Sequence, residues 1–390
     1  MARQSSKPTS FYTHKNTVQL VRCGEPYFTK LIQLIDQAKH TIHLQVYIFE
    51  EDSTGLTVGE ALINAARRGV AVYLLADGYA SDNLSHQFIN KLRSAGVNFR
   101  FFEPLLKSEH FYFGRRLHHK VMVADSYYSL VGGINISDRY NDLENQPAWL
   151  DFALYAEGEV AAELMKLCIS IWNRPGQLKE QKAILPDPPV QKPATNCMVR
   201  IRRNDWVKKR DQVSSSYIEM LHKASSHVII MSSYFIPGRK IRQQISRAAR
   251  RGINIRVVVT GQSDVKLVKY AERYMYRWLL NRNILLYEYI PNVLHAKLAI
   301  RDNHFVTVGS YNVNDLSAYA SIELNLDVFN EAFAKTVQQQ LETIIEKDCK
   351  QITEKNYLAR YNLFQRLLQY ISYLITRVVL FLFTFYFRQE

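Results

Sequence analysis

Histidine, lysine and asparagine recur at one spacing in two places along this chain, and together they can break and re-form a phosphodiester. The first copy reads His118-His119-Lys120, Asp125, Gly132-Gly133-Ile134-Asn135, and the second reads His295-Ala296-Lys297, Asp302, Gly309-Ser310-Tyr311-Asn312. In both, the Asp follows the Lys by five residues and the first Gly follows the Asp by seven. A phosphodiester resists attack because it is anionic and its leaving alkoxide is poor. An imidazole that attacks phosphorus splits one hard step into two through a covalent intermediate. A second imidazole can protonate the leaving oxygen. Lysines and amides can hold the charge that gathers on the non-bridging oxygens. One His, one Lys and one Asn from each copy would complete a two-sided site. His118, Lys120, His295 and Lys297 are therefore the catalytic candidates, with Asn135 and Asn312 as substrate-binding donors.

These side chains need strands to aim them. Residues two apart on a strand share a face, so His118 points with Lys120 and His295 with Lys297, while His119 and Ala296 point away. Asp125-Ser126 and Asp302-Asn303 read as turns between paired apolar strands, and the Gly-Gly and Gly-Ser ends allow close backbone approach. The copies extend well past the motif. Ala65-Ala66-Arg67-Arg68-Gly69-Val70 matches Ala248-Ala249-Arg250-Arg251-Gly252-Ile253, and Thr41–Phe49 matches His227–Ile236, each with a Tyr, Tyr47 and Tyr234. Asp151-Phe152-Ala153-Leu154 matches Glu323-Leu324-Asn325-Leu326. The two motif histidines lie 177 residues apart, too far for a solenoid repeat and right for a duplicated domain. Strands alternate with helices that end at Gly69 and Gly96. The expectation is an α/β protein of two homologous lobes about a pseudo-two-fold axis, each a mixed, mostly parallel sheet flanked by helices. Residues 1–15 form a flexible N-terminus, 16–174 the first lobe, 175–196 a proline-rich linker, 197–350 the second lobe and 351–390 a C-terminal segment.

Composition narrows the setting. No phosphate-binding glycine loop, HExxH, G-x-S-x-G or C-x-x-C pattern is present, so no metal and no cofactor are expected. Four scattered cysteines (Cys23, Cys168, Cys197, Cys349) read as reduced thiols on a cytosolic face. Fifty basic against 36 acidic residues leave a net charge of +14, which favours an anionic partner, either nucleic acid or an acidic membrane.

The two H-x-K…D motifs resemble those of the phospholipase D superfamily. Tyr47-Ile48-Phe49, the Arg116-Leu117-His118-His119-Lys120 lead-in, Gly132-Gly133-Ile134-Asn135 and Ser233-Tyr234-Phe235-Ile236-Pro237 are similar to the cardiolipin synthase branch, over roughly Tyr27 to Lys347. The resemblance implies two phospholipase D-like lobes and a histidine that becomes phosphatidylated, assigned here to His118, with His295 as general acid. It implies an acidic residue behind each motif histidine, for which Asp151 and Glu323 are placed. It groups Asp125 and Asp302 with the catalytic motif, although as more structural than chemical residues. His119 stands where that branch often has Arg. The implied reaction moves a phosphatidyl group from phosphatidylglycerol to the hydroxyl of a second phospholipid, releasing glycerol. The alternatives are hydrolysis of a lipid or nucleic-acid phosphodiester, and a non-catalytic membrane scaffold.

The C-terminus separates lipid from nucleic acid as partner. Leu363, Phe364, Leu367, Leu368, Ile371, Leu374 and Ile375 recur at helical spacing, and Val378–Phe387 is apolar apart from Thr384. That run is short of the ~20 residues that span a bilayer, so an interfacial anchor is expected, with a core helix on lobe two as the alternative. Phospholipids on an anionic membrane surface are the expected partners, on the cytoplasmic face of the cell membrane, and nucleic acid is not. Met1–Lys15 lacks the apolar stretch of a secretory leader. Fourteen residues separate Pro104 from His118 where four separate Pro291 from His295, so lobe one carries an aromatic and basic insertion around Phe111-Tyr112-Phe113 and Arg115-Arg116.

Overall fold

The computed structural model describes residues 12–104, 115–144, 146–173, 182–186, 195–314 and 321–385. The Phe111-Tyr112-Phe113 insertion, Met1–Phe11 and most of the linker lie outside the described residues. In lobe one the strands are β2 (Asn16–Arg22), β3 (Thr41–Val46), β4 (Ala71–Asp77), β5 (Asn98–Phe102), β6 (Lys120–Ala124), β7 (Tyr128–Gly132) and β8 (Phe152–Gly158). Its helices are α1 (Glu25–Gln37), α2 (Ser53–Arg67), α3 (His86–Ser94) and α4 (Glu159–Trp172). Lobe two repeats the order with β9 (Met198–Asp205), α5 (Gln212–Lys223), β11 (His227–Ser232), α6 (Arg239–Arg250), β12 (Asn254–Gln262), α7 (Lys266–Leu280) and β13 (Leu285–Val293). It continues with β14 (Lys297–Arg301), β15 (Phe305–Gly309), β16 (Glu323–Phe329) and α8 (Glu331–Asp348).

The duplication is exact in topology. Lobe one orders its sheet β2-β8-β7-β6-β3-β4-β5, and lobe two orders the equivalent strands β9-β16-β15-β14-β11-β12-β13. Each sheet is mixed, but the expected parallel majority is corrected. Only β3-β4-β5 and β11-β12-β13 run parallel, because helices cross over between them. The motif strands are joined by hairpins and pair antiparallel. Ala124–Tyr127 and Arg301–His304 close these hairpins with i to i+3 hydrogen bonds. Their central residues Asp125, Ser126, Asp302 and Asn303 all have positive φ, between 49° and 57°. That is the left-handed pair a type I′ turn demands.

The two sheets face each other across one apolar core that also takes in α4 and α8. Outer cores lie beneath α1 to α3 in lobe one and beneath α5 to α7 in lobe two. Short strands tie the lobes further. Residues 12 and 13, expected to be flexible, form β1 (Tyr12–Thr13), which pairs with β9 of lobe two. Arg210–Asp211 (β10) and Cys349–Ile352 (β17) extend the same sheet.

Two helices follow, α9 (Glu354–Arg360) and α10 (Leu363–Phe385). α10 packs on α7 through Tyr373, which joins Ile236, Ala271 and Met275 in a small core. It is turned opposite to a core helix. Gln369, Ser372 and Thr376 are buried, whereas Leu363, Phe364 and Leu367 are 83%, 73% and 53% exposed. Leu368, Ile371, Leu374 and Ile375 are exposed as well. The seven residues whose spacing suggested an apolar stripe therefore do not cover lobe two. No helix among the described residues is long and apolar enough to cross a membrane.

Candidate active site

Both motif histidines sit on extended chain two residues before a strand, rather than within it. Each is fixed by the opposite lobe. His295 N–H donates to Leu150 O at 2.7 Å, and Ile322 N–H donates to Arg116 O at 2.8 Å. Leu117 N–H donates to the buried Asp77 carboxylate, 2.8 Å away. The chain thus enters each motif along a seam between lobes.

The acids cross that seam. His118 Nδ1 lies 3.0 Å from Glu323 Oε2, and His295 Nδ1 lies 2.6 Å from Asp151 Oδ2. The sequence pairs each histidine with an acid, and the fold exchanges the partners between lobes. The lysines bond within their own motifs. Lys120 and Lys297 donate to the carbonyls of their own motif histidines. The charge of each lysine also depresses the protonation of the opposite lobe's imidazole. The two motifs therefore share one site.

Burial governs the site's protonation. Burial lowers the His118 pKa, and the Glu323 charge opposes that fall. Burial also pulls Lys120 down to about 7 and Lys297 down to about 8. Around Glu323, burial alone would favour the acid form, but the His118 contact and the Lys120 charge outweigh it and lower the carboxyl pKa. Ser310 and Ser321 hydroxyls both donate to this carboxylate. Among the described residues no hydroxyl donates to Asp151. Burial pushes it up to about 7, despite the nearby Lys297 and a bond from its own Phe152 N–H. His295 is driven well below its usual range by burial and then by Lys297, whose Nζ is 2.9 Å from Nδ1. The two acids thus shift in opposite directions, Glu323 down through its contact with His118 and Asp151 up through burial.

Aromatic rings set the walls. Tyr47 packs edge-on to His118, with ring centroids 4.8 Å apart, and its face lies 5.0 Å from Lys120 Nζ. Tyr140, from lobe one, packs 5.2 Å from the His295 ring and places its hydroxyl 3.4 Å from Nε2. Asn135 is held by Ile48 N–H at its oxygen and donates to the Tyr140 hydroxyl at 2.9 Å. Asn312 accepts from the Ser233 hydroxyl at 2.7 Å, and its amide nitrogen has no partner among the described residues. Asn135 thus reaches His295 through Tyr140, whereas Asn312 keeps a free donor.

Asp125 and Asp302 stand apart from this chemistry. Asp125 accepts from the backbone N–H groups of Lys39, His40 and Thr41, and Asp302 from those of Ser225, Ser226 and His227. Each carboxylate clips the motif hairpin to the start of the neighbouring central strand. These oxygens are engaged by backbone at the far end of the motif strands from the two histidines. His119 faces away, as its spacing implied, and meets Gln45 at 3.0 Å.

Sequence reasoning gave no role to Tyr140, Trp149, Ser321 or Asp77. Tyr140 and Trp149 lie outside the repeated blocks, and only folding brings them against His295.

The family model described as "Cardiolipin synthase, PLD-like domain" matches residues 31–167 and again 217–345. The chain belongs to this family. Cardiolipin synthase B of Salmonella typhi is 34% identical over 347 residues, covering 87% of this chain and 83% of that protein. Cardiolipin synthase B of Escherichia coli K12 is 32% identical over 351 residues, with the same coverage. Among solved structures, phosphatidylserine synthase of Haemophilus influenzae superposes with a TM-score of 0.71, covering 93% of each chain at 14% identity, a likeness of fold. Membership in the cardiolipin synthase family makes the chain an enzyme of the phosphatidyltransferase type.

Proposed function

We propose that this phosphatidyltransferase takes phosphatidylglycerol as donor and the hydroxyl of a second phospholipid as acceptor. His118 Nε2 attacks phosphorus, because Glu323 fixes Nδ1–H and leaves the other nitrogen's lone pair toward the cleft. The bond to the glycerol oxygen breaks, and that oxygen takes a proton from the His295–Asp151 pair. Glycerol leaves, and the phosphatidyl group stays on His118. In the second half, the acceptor hydroxyl gives its proton to His295, its oxygen attacks phosphorus, and the phosphorus–nitrogen bond breaks. Lys120, Lys297 and the free amide of Asn312 hold the non-bridging oxygens throughout. The carrying observation is geometric: each motif imidazole rests its Nδ1 on an acid of the opposite lobe, so two oriented imidazoles serve one site.

The surface of α10 supports a membrane setting. Its outward apolar residues, over a polar buried face, suit a helix lying in the plane of a lipid interface. Access from lipid rather than bulk water would favour transfer over hydrolysis. Incubation with phosphatidylglycerol vesicles, and separately with plasmid, tests the reading. A dimeric lipid plus free glycerol is expected. Phosphatidic acid as sole product would instead assign hydrolysis, and nicked DNA a nuclease. Truncation after Asn362 is expected to release the protein from membranes, and unchanged sedimentation with them would contradict the anchor.

A further inference from the structure

The two lobes differ most in the helix that follows the first central strand. In lobe one, α2 carries Glu60, which pairs with Lys91 at 2.8 Å and Arg67 at 3.8 Å. Register on the shared Ala-Ala-Arg-Arg-Gly run sets Leu56, Gly59, Glu60 and Asn64 opposite Arg239, Arg242, Gln243 and Arg247 of α6. The acid is gone, and three new guanidinium groups stand in its neighbourhood. Gly59 also lets α3 pack tightly on α2, since a Cβ there would meet the Phe88 ring at 2.7 Å. Arg242 takes the matching place on α6. A groove of about 390 Å³ lies between α6 and the end of α7.

Five arginines line that groove: Arg239, Arg242, Arg247, Arg250 and Arg282. The four on α6 have no carboxylate partner among the described residues, and no Asp or Glu occurs from Arg239 to Arg250. Arg242 Nε is buried without a hydrogen-bond partner. Arg282 is held in place, with Nε donating to Ser246 Oγ at 2.9 Å and its guanidinium 4.7 Å from the Trp278 ring centroid. Like charges gathered in a groove repel one another, and the fold does not require them, because lobe one forms the same helix without them. A polyoxygen anion would relieve the repulsion and accept from several planar donor forks at once.

We propose that the α6–α7 groove is a second, non-catalytic site that binds a phosphate-bearing anion, either a phospholipid headgroup or free inorganic phosphate or pyrophosphate. None of its lining residues belongs to the active site, so the proposal stands apart from the catalytic assignment. Trp278 also packs against the core that seats Tyr373 of α10, which puts the groove beside the helix with the exposed apolar face.

The test uses full-length protein and the triple variant Arg239→Gln/Arg247→Gln/Arg250→Gln, whose side chains are exposed and whose loss leaves the core intact. Pyrophosphate binding is measured by titration calorimetry. Vesicle binding is measured with phosphatidylcholine alone and with added phosphatidylglycerol. Two classes of anion site are expected in the parent and one in the variant, with binding at the lost class at least tenfold weaker. Turnover of a short-chain, monomeric lipid is expected to stay the same. Loss of pyrophosphate binding assigns a free anion. Loss confined to the phosphatidylglycerol-dependent part of vesicle binding assigns a headgroup. Arg→Lys replacements at the three positions, keeping charge but not the fork, should recover part of the loss. Unaltered stoichiometry and affinity for both ligands would overturn the proposal, as would capture of duplex DNA without binding of either.

Discussion

Asp151 and Glu323 hold equivalent places in the two lobes but keep different company. Glu323 accepts from Ser310 and Ser321 besides His118, and the His118 contact, with help from Lys120 and Ser310, holds its carboxyl below the usual range against burial. Asp151 faces Gly133 where Glu323 faces Ser310, and burial pushes its carboxyl up to about 7. The one-carbon difference is matched by the glycine. A Cβ on Gly133 would stand 2.5 Å from Asp151 Oδ2, so the shorter acid draws closer to the backbone than any side chain would allow. A duplicated gene thus supplies two nearly symmetric motifs whose acids keep different neighbours, the asymmetry on which the proposed division of attack and protonation rests.

Loss of His118 should have the largest effect. His118→Ala should lower turnover by about 10⁴-fold or more while the protein stays folded. His295→Ala should be comparably slow on phosphatidylglycerol, yet still form a covalent adduct with a phosphatidyl ester of a good leaving group. An adduct on His118→Ala instead would reverse the assignment.

The acids come next. Asp151→Asn and Glu323→Gln should each cost about 10²- to 10⁴-fold in kcat, by analogy with orienting carboxylates elsewhere. Only the first loss should shrink with a good leaving group. The pH profile separates them further. His118 must be neutral to attack, so activity should fall on the acid side below the usual 6.5 of an imidazole. Glu323 raises that pKa, so Glu323→Gln should move the acid limb to still lower pH; a move upward would contradict the pairing. On the alkaline side, Lys120 and Lys297 lose protons as pH rises through about 7 and about 8. The empty site's affinity for an anion should weaken over that range, and Lys297→Met should flatten its upper part.

Exchanging the Gly/Ser pair probes the comparison more finely. Gly133→Ser should displace Asp151 and abolish activity. Ser310→Gly removes one bond to the Glu323 carboxylate, a change of about 1.5–3 kcal/mol, and should lower the rate by about 10- to 100-fold.

The smallest effect on chemistry should come from the motif aspartates. Asp125→Asn should weaken the clip to Lys39, His40 and Thr41, lowering stability by about 1–3 kcal/mol, with kcat of the folded fraction nearly unchanged. Asp302 is held down to about 2, since backbone N–H bonds together outweigh its burial. Its contribution to stability is therefore complete above the usual carboxylate range and is lost as pH falls through about 2. Asp302→Asn should remove that part of the acid denaturation profile.

Much of the fold was legible because hydrophobic runs, glycine stops and the repeated blocks are local signals. Thr41–Val46, Ala71–Asp77 and the motif hairpins fell where those signals placed them, within a few residues. The parallel majority was not legible, since period and composition do not encode the direction of a neighbouring strand. Helix α10 shows the same limit. Its apolar spacing was plain in the sequence, but which face meets α7 depended on Tyr373, Gln369 and their partners across the fold.

Residue types and spacing by themselves determined the candidate groups: two imidazoles, two lysines and two amides, duplicated, at intervals that hairpins can carry. Tertiary structure alone decided that each imidazole takes its acid from the other lobe, that Tyr140 closes on His295, and that the α6 arginines border a groove. Spacing acts along the chain, whereas protonation and partnership depend on burial and on neighbours more than a hundred residues away.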